Sequence, residues 1–276
     1  MIYYIKYAIG AILMAVVLIS YGCDTSDNGE TSYGAMEVWL HDDPADFEEV
    51  QIFIERIEIN REEDSEGWIT IGEPQQHFDL LELTNGAYEV LGSEQLEAGT
   101  YSQIRLIVSR EDNYVVENGE QKTLFVPGGS ETGVKLNVHA EITEGIDYKL
   151  LLDFDADRSI VTPGQSGQPA DYLLKPVIRA TSLAESGHIE GVISPAEARP
   201  AVYAISDSDT LSTTFADEET GAFLLFGLDE GSYTVSVEPR EEGFGTRDIE
   251  DAVVTAGETN DLGDIDLESF NENEEQ

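Results

Sequence analysis

Val50-Gln-Ile-Phe-Ile-Glu-Arg-Ile-Glu-Ile59 decides the fold. Its apolar residues fall on even positions at Val50, Ile52 and Ile54, then on odd ones at Ile57 and Ile59. A period of two marks a strand with one face on a core. A slip of one residue would turn that face outward, so the phase change predicts a β-bulge near Glu55-Arg56.

The neighbouring sequence repeats the pattern. Polar residues 61–67 read as a turn, and Trp68-Ile-Thr-Ile71 as the returning strand. Met36-Glu-Val-Trp-Leu40 alternates upstream, and Tyr101-Ser-Gln-Ile-Arg-Leu-Ile-Val-Ser109 is a further strand. Tyr114-Val-Val-Glu117 and Lys122-Thr-Leu-Phe125 flank Asn118-Gly119. Asn-Gly supplies the positive φ angles of a type I′ turn, so this is a hairpin. Strands are expected at 134–138, 148–156 and 172–180, and a short helix after Gly86 through Val90-Leu91. A second series falls near 188–193, 202–205, 222–225, 233–237, 253–255 and 264–267. Short strands at such spacing indicate sandwiches. The fold class is therefore all-β: two β-sandwich domains in tandem, immunoglobulin-like or prealbumin-like.

Composition narrows the function. Of 276 residues, 41% are hydrophobic, enough for packed cores. Asp and Glu number 57 against 14 Lys and Arg, a net charge of −43. Such a surface repels phosphate backbones, which excludes a nucleic-acid partner. Two meanings of the acidity stay open: a solvated surface suited to a saline habitat, or a cation-binding surface.

The single cysteine, Cys23, permits no intramolecular disulfide. Ahead of it stand Lys6, an apolar run over 7–19, and Ser20-Tyr21-Gly22. This is the order of a bacterial lipoprotein signal peptide cleaved before Cys23. The run is shorter than the roughly 20 residues of a membrane span. Ser20 stands where an aliphatic residue is usual. The expected organisation is a signal peptide at 1–22, a tether at 23–33, a first sandwich at 34–181 and a linker at 182–187. A second sandwich follows at 188–268, then a disordered acidic tail at 269–276.

Two blocks of sequence resemble known families. Asp43-Pro-Ala-Asp-Phe-Glu-Glu-Val50, Phe78-Asp-Leu-Leu-Glu-Leu-Thr-Asn-Gly86 and Leu96-Glu-Ala-Gly-Thr-Tyr-Ser-Gln-Ile-Arg-Leu106 occur in that order. Val126-Pro-Gly-Gly-Ser130, Leu152-Asp-Phe-Asp-Ala-Asp157 and Tyr172-Leu-Leu-Lys-Pro-Val-Ile-Arg179 follow. Together they resemble the bacterial envelope family known as domain of unknown function 4382. That resemblance implies a lipid-anchored or secreted protein with no established activity. Gly187-His-Ile-Glu-Gly191, Ala201-Val-Tyr-Ala204, Asp217-Glu-Glu-Thr-Gly-Ala-Phe-Leu-Leu-Phe-Gly-Leu228 and Gly231-Ser-Tyr-Thr-Val235 resemble the carboxypeptidase regulatory-like, transthyretin-like sandwich. This second resemblance implies a non-catalytic spacer or interaction unit.

Sites are few. Asp153, Asp155 and Asp157 have the spacing of half an EF-hand loop, but Arg158 and Gly164 replace its glycine and glutamate. On a strand the three aspartates would share one face at steps of about 7 Å. They are either a calcium site or a solvated, Arg-paired face. Arg105, Lys175 and Arg179 interrupt strands. Arg105 and Arg179 are expected to pair with Asp79, Asp153 or Asp155, or else to bind an anion. Trp39, Trp68, Tyr203 and Phe244 are candidates for sugar stacking, with core packing as the alternative. His41, His77, His139 and His188 form no catalytic motif in sequence, and no nucleophile elbow is present. The reading is a non-catalytic lipid-anchored envelope protein that binds or scaffolds, its expected partners being the membrane, through its N-terminal lipid, and an unknown envelope protein or glycan. Its alternatives are a carbohydrate- or calcium-binding surface module and a hydrolase or hydrolase accessory. The expected location is the outer membrane, on its periplasmic or surface face.

Overall fold

The computed structural model describes residues 31–61, 67–128, 132–164 and 170–270. The signal peptide, Cys23, most of the tether and nearly all of the acidic tail lie outside the described residues. Among the described residues, no helix is long and apolar enough to cross a membrane.

Strand β2 (Glu49–Arg61) organises the first half. It lies inside a large sheet ordered β11 (Ile160–Val161), β12 (Tyr172–Leu174), β8 (Glu120–Phe125), β7 (Tyr114–Glu117), β2, β6 (Gly99–Val108) and β9 (Val134–Ile142). Strands β3 (Trp68–Gly72) and β4 (Gln76–Asp79) pair with its other edge. Ile54 pairs with Val108 and Arg56 with Ile107, so Glu55 is the extra, bulged residue. The bulge keeps Val50, Ile52, Ile54, Ile57 and Ile59 all fully buried. Each such side chain contributes about 1.5–3 kcal/mol of burial. Asn118 and Gly119 take φ of 53° and 70° between paired Glu117 and Glu120, as the hairpin requires.

A four-stranded sheet closes this core, ordered β13 (Ile178–Ser182), β10 (Asp147–Asp155), β1 (Tyr33–Asp43) and β5 (Glu89–Glu97). Met36, Val38 and Leu40 from β1, and Leu150, Leu152 and Phe154 from β10, point into it. The second sandwich has two sheets. One is β17 (Ala222–Asp229), β14 (Ser186–Ser194) and β20 (Thr259–Asp266). The other is β16 (Asp209–Phe215), β15 (Ala201–Ser206), β18 (Gly231–Glu238) and β19 (Arg247–Val254). Its separate core gathers Ile189, Val202, Phe223, Leu225, Val235 and Val237.

Four expectations need correction. The strand foreseen at 172–180 is two strands in different sheets, β12 and β13. Pro176, which has no N–H for a ladder, lies at the break. No helix follows Gly86; β5 occupies the place, and a 3-10 turn at Leu80–Leu83 precedes it, capped by Asp79. Strand β10 ends at Asp155, and a one-turn helix, α1 (Ala156–Ser159), takes over. The stretch foreseen as a linker carries the last residue of β13 and the start of β14.

One device occurs twice. Leu96-Glu-Ala-Gly-Thr-Tyr101 and Leu228-Asp-Glu-Gly-Ser-Tyr233 place a tyrosine four residues after an acidic one. Tyr101 donates its hydroxyl proton to the Glu97 carbonyl at 3.0 Å, and Tyr233 to the Asp229 carbonyl at 2.8 Å. Each ring fills its own core while its hydroxyl closes the preceding turn, a tyrosine corner in each sandwich. Tyr101→Phe and Tyr233→Phe are each expected to cost about 1 kcal/mol. Urea denaturation of the two variants checks this.

Candidate functional site

A strand alternates, so the inward face of β1 and β10 leaves a second face bearing Trp39, His41, Asp43, Leu151, Asp153 and Asp155. That face meets the second sandwich. Asp43 Oδ1 accepts from Thr213 N at 2.8 Å and Ser212 Oγ at 3.2 Å. Arg179 Nη2 donates to Asp153 Oδ2 at 2.6 Å, and Nη1 to the Gly227 carbonyl at 2.6 Å. Asn85 acts like one residue of an added strand: its Oδ1 accepts from Leu224 N at 2.6 Å, and its Nδ2 donates to the Ala222 carbonyl. Gly227 has φ of 66°, and a Cβ there would lie 2.3 Å from Leu151 Cδ2. A residue with a Cβ would have to displace that methyl and adopt a left-handed backbone that favours glycine.

Two histidines scattered in sequence converge here. His41 Nδ1 lies 2.9 Å from Asp153 Oδ1, and its Nε2 accepts from Gly86 N at 3.4 Å. The acceptor role of Nε2 assigns the proton to Nδ1. His188 Nδ1 accepts from Gly227 N at 3.1 Å, and burial pushes its pKa down. Both rings pack on Phe226. A ladder of near-parallel groups crosses the seam: Trp39 on Tyr88 at 3.8 Å, Tyr88 beside Phe226, and Phe226 on His188 at 4.4 Å. Lys149 Nζ caps it, 4.7 Å from the Trp39 centroid.

The electrostatics are uneven. Burial works against ionisation of Asp153, yet the Arg179 guanidinium and the His41 N–H outweigh it and hold its pKa low. Asp42 and Asp43 behave oppositely: burial, then neighbouring carboxylates, push both well above the ordinary value. Asp42 is fully buried; its Oδ1 accepts from Ala156 N at 3.1 Å, and its Oδ2 has no partner.

Alongside the seam runs a cleft with two lobes, of about 500 Å³ and about 330 Å³. Pro44, Asp46, Phe215 and Arg240 border both. Arg240 bridges the sandwiches, paired with Asp46 and lying 4.0 Å from the Phe215 centroid. Phe47, Leu81, Glu48 and Glu117 line the larger lobe, and Asp155, Asp157 and Tyr203 the smaller.

The residues singled out from sequence land in different places. Asp153 is buried in the seam; Asp155 caps α1 by accepting from Arg158 N at 2.8 Å; Asp157 is exposed on α1. Among the described residues, no group of three His, Cys, Asp or Glu side chains is arranged to hold a metal. Arg179 meets Asp153, as above. Arg105 pairs with Glu58 across β2 and β6 and covers Trp68 at 4.2 Å. Asp79 meets neither arginine; it accepts from Val50 N and Leu81 N. Lys175 is exposed between β12 and β13. Trp39 belongs to the ladder, Phe244 packs on the second core, and Tyr203 borders the cleft. Sequence reasoning passed over Asp42, Asp43, Asn85 and Gly227. The available signal was the run His41-Asp42-Asp43, which extends the alternating Met36–Leu40 pattern with charge at positions that should be buried.

The family described as Domain of unknown function (DUF4382) matches residues 33–176, just over half of the chain. A search of curated proteins gives no match. Among solved structures, the chain is similar to a chain of a type II cohesin–X-dockerin complex from Acetivibrio cellulolyticus, with 19% identity and a TM-score of 0.24. That match covers 30% of this chain and 58% of the other. The TIE protein of Bacillus anthracis matches at 11% identity over 86% of this chain and 34% of its own, with a TM-score of 0.24. The fimbrial anchor protein Mfa2 of Porphyromonas gingivalis matches at 10% identity over 81% and 82%, with a TM-score of 0.19. The chain thus spans less than two thirds of the first two of these. At such scores the likenesses bear on neither ligand nor partner.

Proposed function

We propose, for a chain that belongs to the family described as Domain of unknown function (DUF4382), a non-catalytic envelope role. A lipid on Cys23 holds two fused β-sandwiches at a membrane, and they act together as a rigid binding or scaffolding module. The seam is the observation that carries this reading. The groups best able to do chemistry are His41, Asp153 and Arg179, and they are spent on one another and on backbone carbonyls and amides. Asp153 is only 3% exposed and His41 only 1%, so neither presents a reacting atom to a substrate.

The second sandwich supports the carboxypeptidase regulatory-like reading locally. Asp217 Oδ1 accepts from Glu219 N, Thr220 N and Thr220 Oγ1, folding the turn before β17. Gly221 follows at φ of 74°, where a Cβ would lie 2.0 Å from the Ile193 carbonyl. Phe223 and Leu225 then point inward. Such a unit lengthens and stiffens an anchored protein.

Growth with a radioactive fatty acid is expected to label the protein in the envelope fraction, and Cys23→Ala to abolish the label. Label retained in that variant sinks the anchor. Protease shaving of intact cells then distinguishes a surface-facing protein from a periplasmic one.

A further inference from the structure

We propose that the end of the first sandwich nearest in sequence to Cys23 rests in the surface layer of a zwitterionic lipid bilayer, with Tyr33 and Ile146 as the inserting side chains. This names a surface that the anchored module contacts, and it rests on the lipid at Cys23. The first argument is a pair of apolar groups at one strand end. Strands β1 and β10 run parallel, so their starts lie side by side, with Ala35 opposite Asp147. Tyr33 opens β1 and is 48% exposed; Ile146 directly precedes β10 and is 56% exposed. They are two of the four most exposed large apolar side chains among the described residues. Single exposed apolar groups are ordinary, but an aliphatic residue on a turn beside an exposed aromatic calls for a cover.

The pair is locked in place. Gly145 N donates to the Tyr33 carbonyl at 3.0 Å, Ala35 N to the Ile146 carbonyl at 3.2 Å, and Ile146 N to the Thr143 carbonyl at 3.2 Å. Gly34 lets this turn lie against β1, since a Cβ there would stand 2.3 Å from the Thr143 carbonyl oxygen. The backbone beneath both side chains is therefore ordered before anything covers them, which lowers the entropic cost of contact.

The second argument is reach. Ten residue steps separate Cys23 from Tyr33, a span of at most about 35 Å. Strand β1 adds about 33 Å more before Asp43 at its opposite end. The Tyr33 end is thus the part of the sandwich held closest to the lipid. Two side chains alone would bind a membrane weakly, but a tether makes their contact intramolecular and raises their effective concentration. Tyrosine suits the headgroup layer, with its ring among apolar groups and its hydroxyl in water. The third argument is charge. Glu144 and Asp147 flank Ile146, and Glu97 stands opposite Tyr33, paired with Arg61. This acidic rim repels an anionic leaflet and leaves neutral headgroups as the surface that fits.

The lipid would occupy the one cysteine of the chain, so an introduced cysteine is the only free thiol. The test uses three variants of the full lipidated protein: Tyr33→Cys, Ile146→Cys and Leu211→Cys. Leu211 is 38% exposed and borders a small cavity with Asp43, at the opposite end of β1. Each variant carries an environment-sensitive fluorophore and is reconstituted into phosphatidylcholine vesicles. The labels at positions 33 and 146 are expected to shift their emission to the blue and to be quenched by spin-labelled lipid. The label at 211 is expected to do neither. Adding phosphatidylglycerol is expected to reduce both signals, and added salt to restore them. Two positions on different strands keep the test intact if one variant fails to fold. Water-like emission at both, with the protein still floating with the vesicles, overturns the proposal and leaves the anchored module standing. Equal shifts at all three positions overturn it too, since the chain then lies on the bilayer without preference. Signals that grow with phosphatidylglycerol overturn it as well. Protein that does not float with the vesicles sinks the anchor, and this inference with it.

Discussion

Replacing Arg179 by alanine is expected to cost about 3–5 kcal/mol, the largest loss from any single seam residue. The side chain satisfies two elements at once, the Asp153 carboxylate on β10 and the Gly227 carbonyl on β17. Its removal strands Asp153, 3% exposed, among the carboxylates of Asp42, Asp43 and Asp155. An unpaired buried charge is far more costly than a well-made pair is stabilising. Urea midpoints of Arg179→Ala, Asp153→Asn and the double variant measure this. The double variant is expected to be more stable than Arg179→Ala alone, with a coupling above about 1 kcal/mol. A loss under 1 kcal/mol from Arg179→Ala would mean that water enters the seam and solvates Asp153.

The protein is also expected to grow more stable as the solution is made mildly acidic, against the common tendency of folded proteins. Unfolded Asp42 and Asp43 lose their protons near 3.8, whereas in the fold burial holds those protons to much higher pH. Between these limits the folded state binds more protons, so stability falls as pH rises. The contribution is full below 3.8 and is lost as pH passes the raised values. Asp153 opposes this. Its pKa is depressed, so its contribution is present above 3.8 and is lost as pH falls through the lowered value. The two windows do not overlap. His188, its pKa lowered by burial, withdraws stability as pH falls below 6.5, but the two strongly shifted aspartates outweigh this one imidazole and put the optimum on the acid side of neutral. Asp42→Asn keeps an acceptor for Ala156 N while removing the need to bury a charge. It is expected to raise stability at pH 8 by about 1–3 kcal/mol and to flatten the slope between pH 5 and 8. Melting curves across that range decide it: an unchanged slope assigns the acidic optimum to other groups.

The strands were legible where one face is apolar. The change of phase at Ile54 and Ile57 located the bulge because isoleucine at both positions had to face inward. Strand β16 was missed for the converse reason. Its buried positions are Ser212 and Thr214, so hydroxyls stand where a pattern reader seeks aliphatics. Both lie opposite Ala204 and Val202 of the second core, and Ser212 also donates to Asp43, 169 residues away along the chain. No local window contains that fact. The seam was half legible. Scarce arginines inside strands pointed to ion pairs, and the spacing of Asp153 and Asp155 put both on one face. What covers that face could not be read from β10, because Phe226, Gly227 and Leu224 belong to another sandwich. Asp42 was legible only as an anomaly: it sits on the inward face of β1, where alternation calls for an apolar residue.

The position of β1 has a mechanical consequence. It is the first described strand after Cys23, yet it lies inside its sheet, not at an edge. It pairs with β10 from Ala35 to Asp43 and with β5 from Tyr33 to Leu40. Under the proposed lipid attachment at Cys23, tension would therefore run along a strand gripped on both sides. Such a load shears two ladders at once, where an edge strand would unzip bond by bond. The same strand ends at Asp43, against the second sandwich, so on the proposed anchoring, drag on the far domain would reach the anchor through hydrogen bonds acting in parallel.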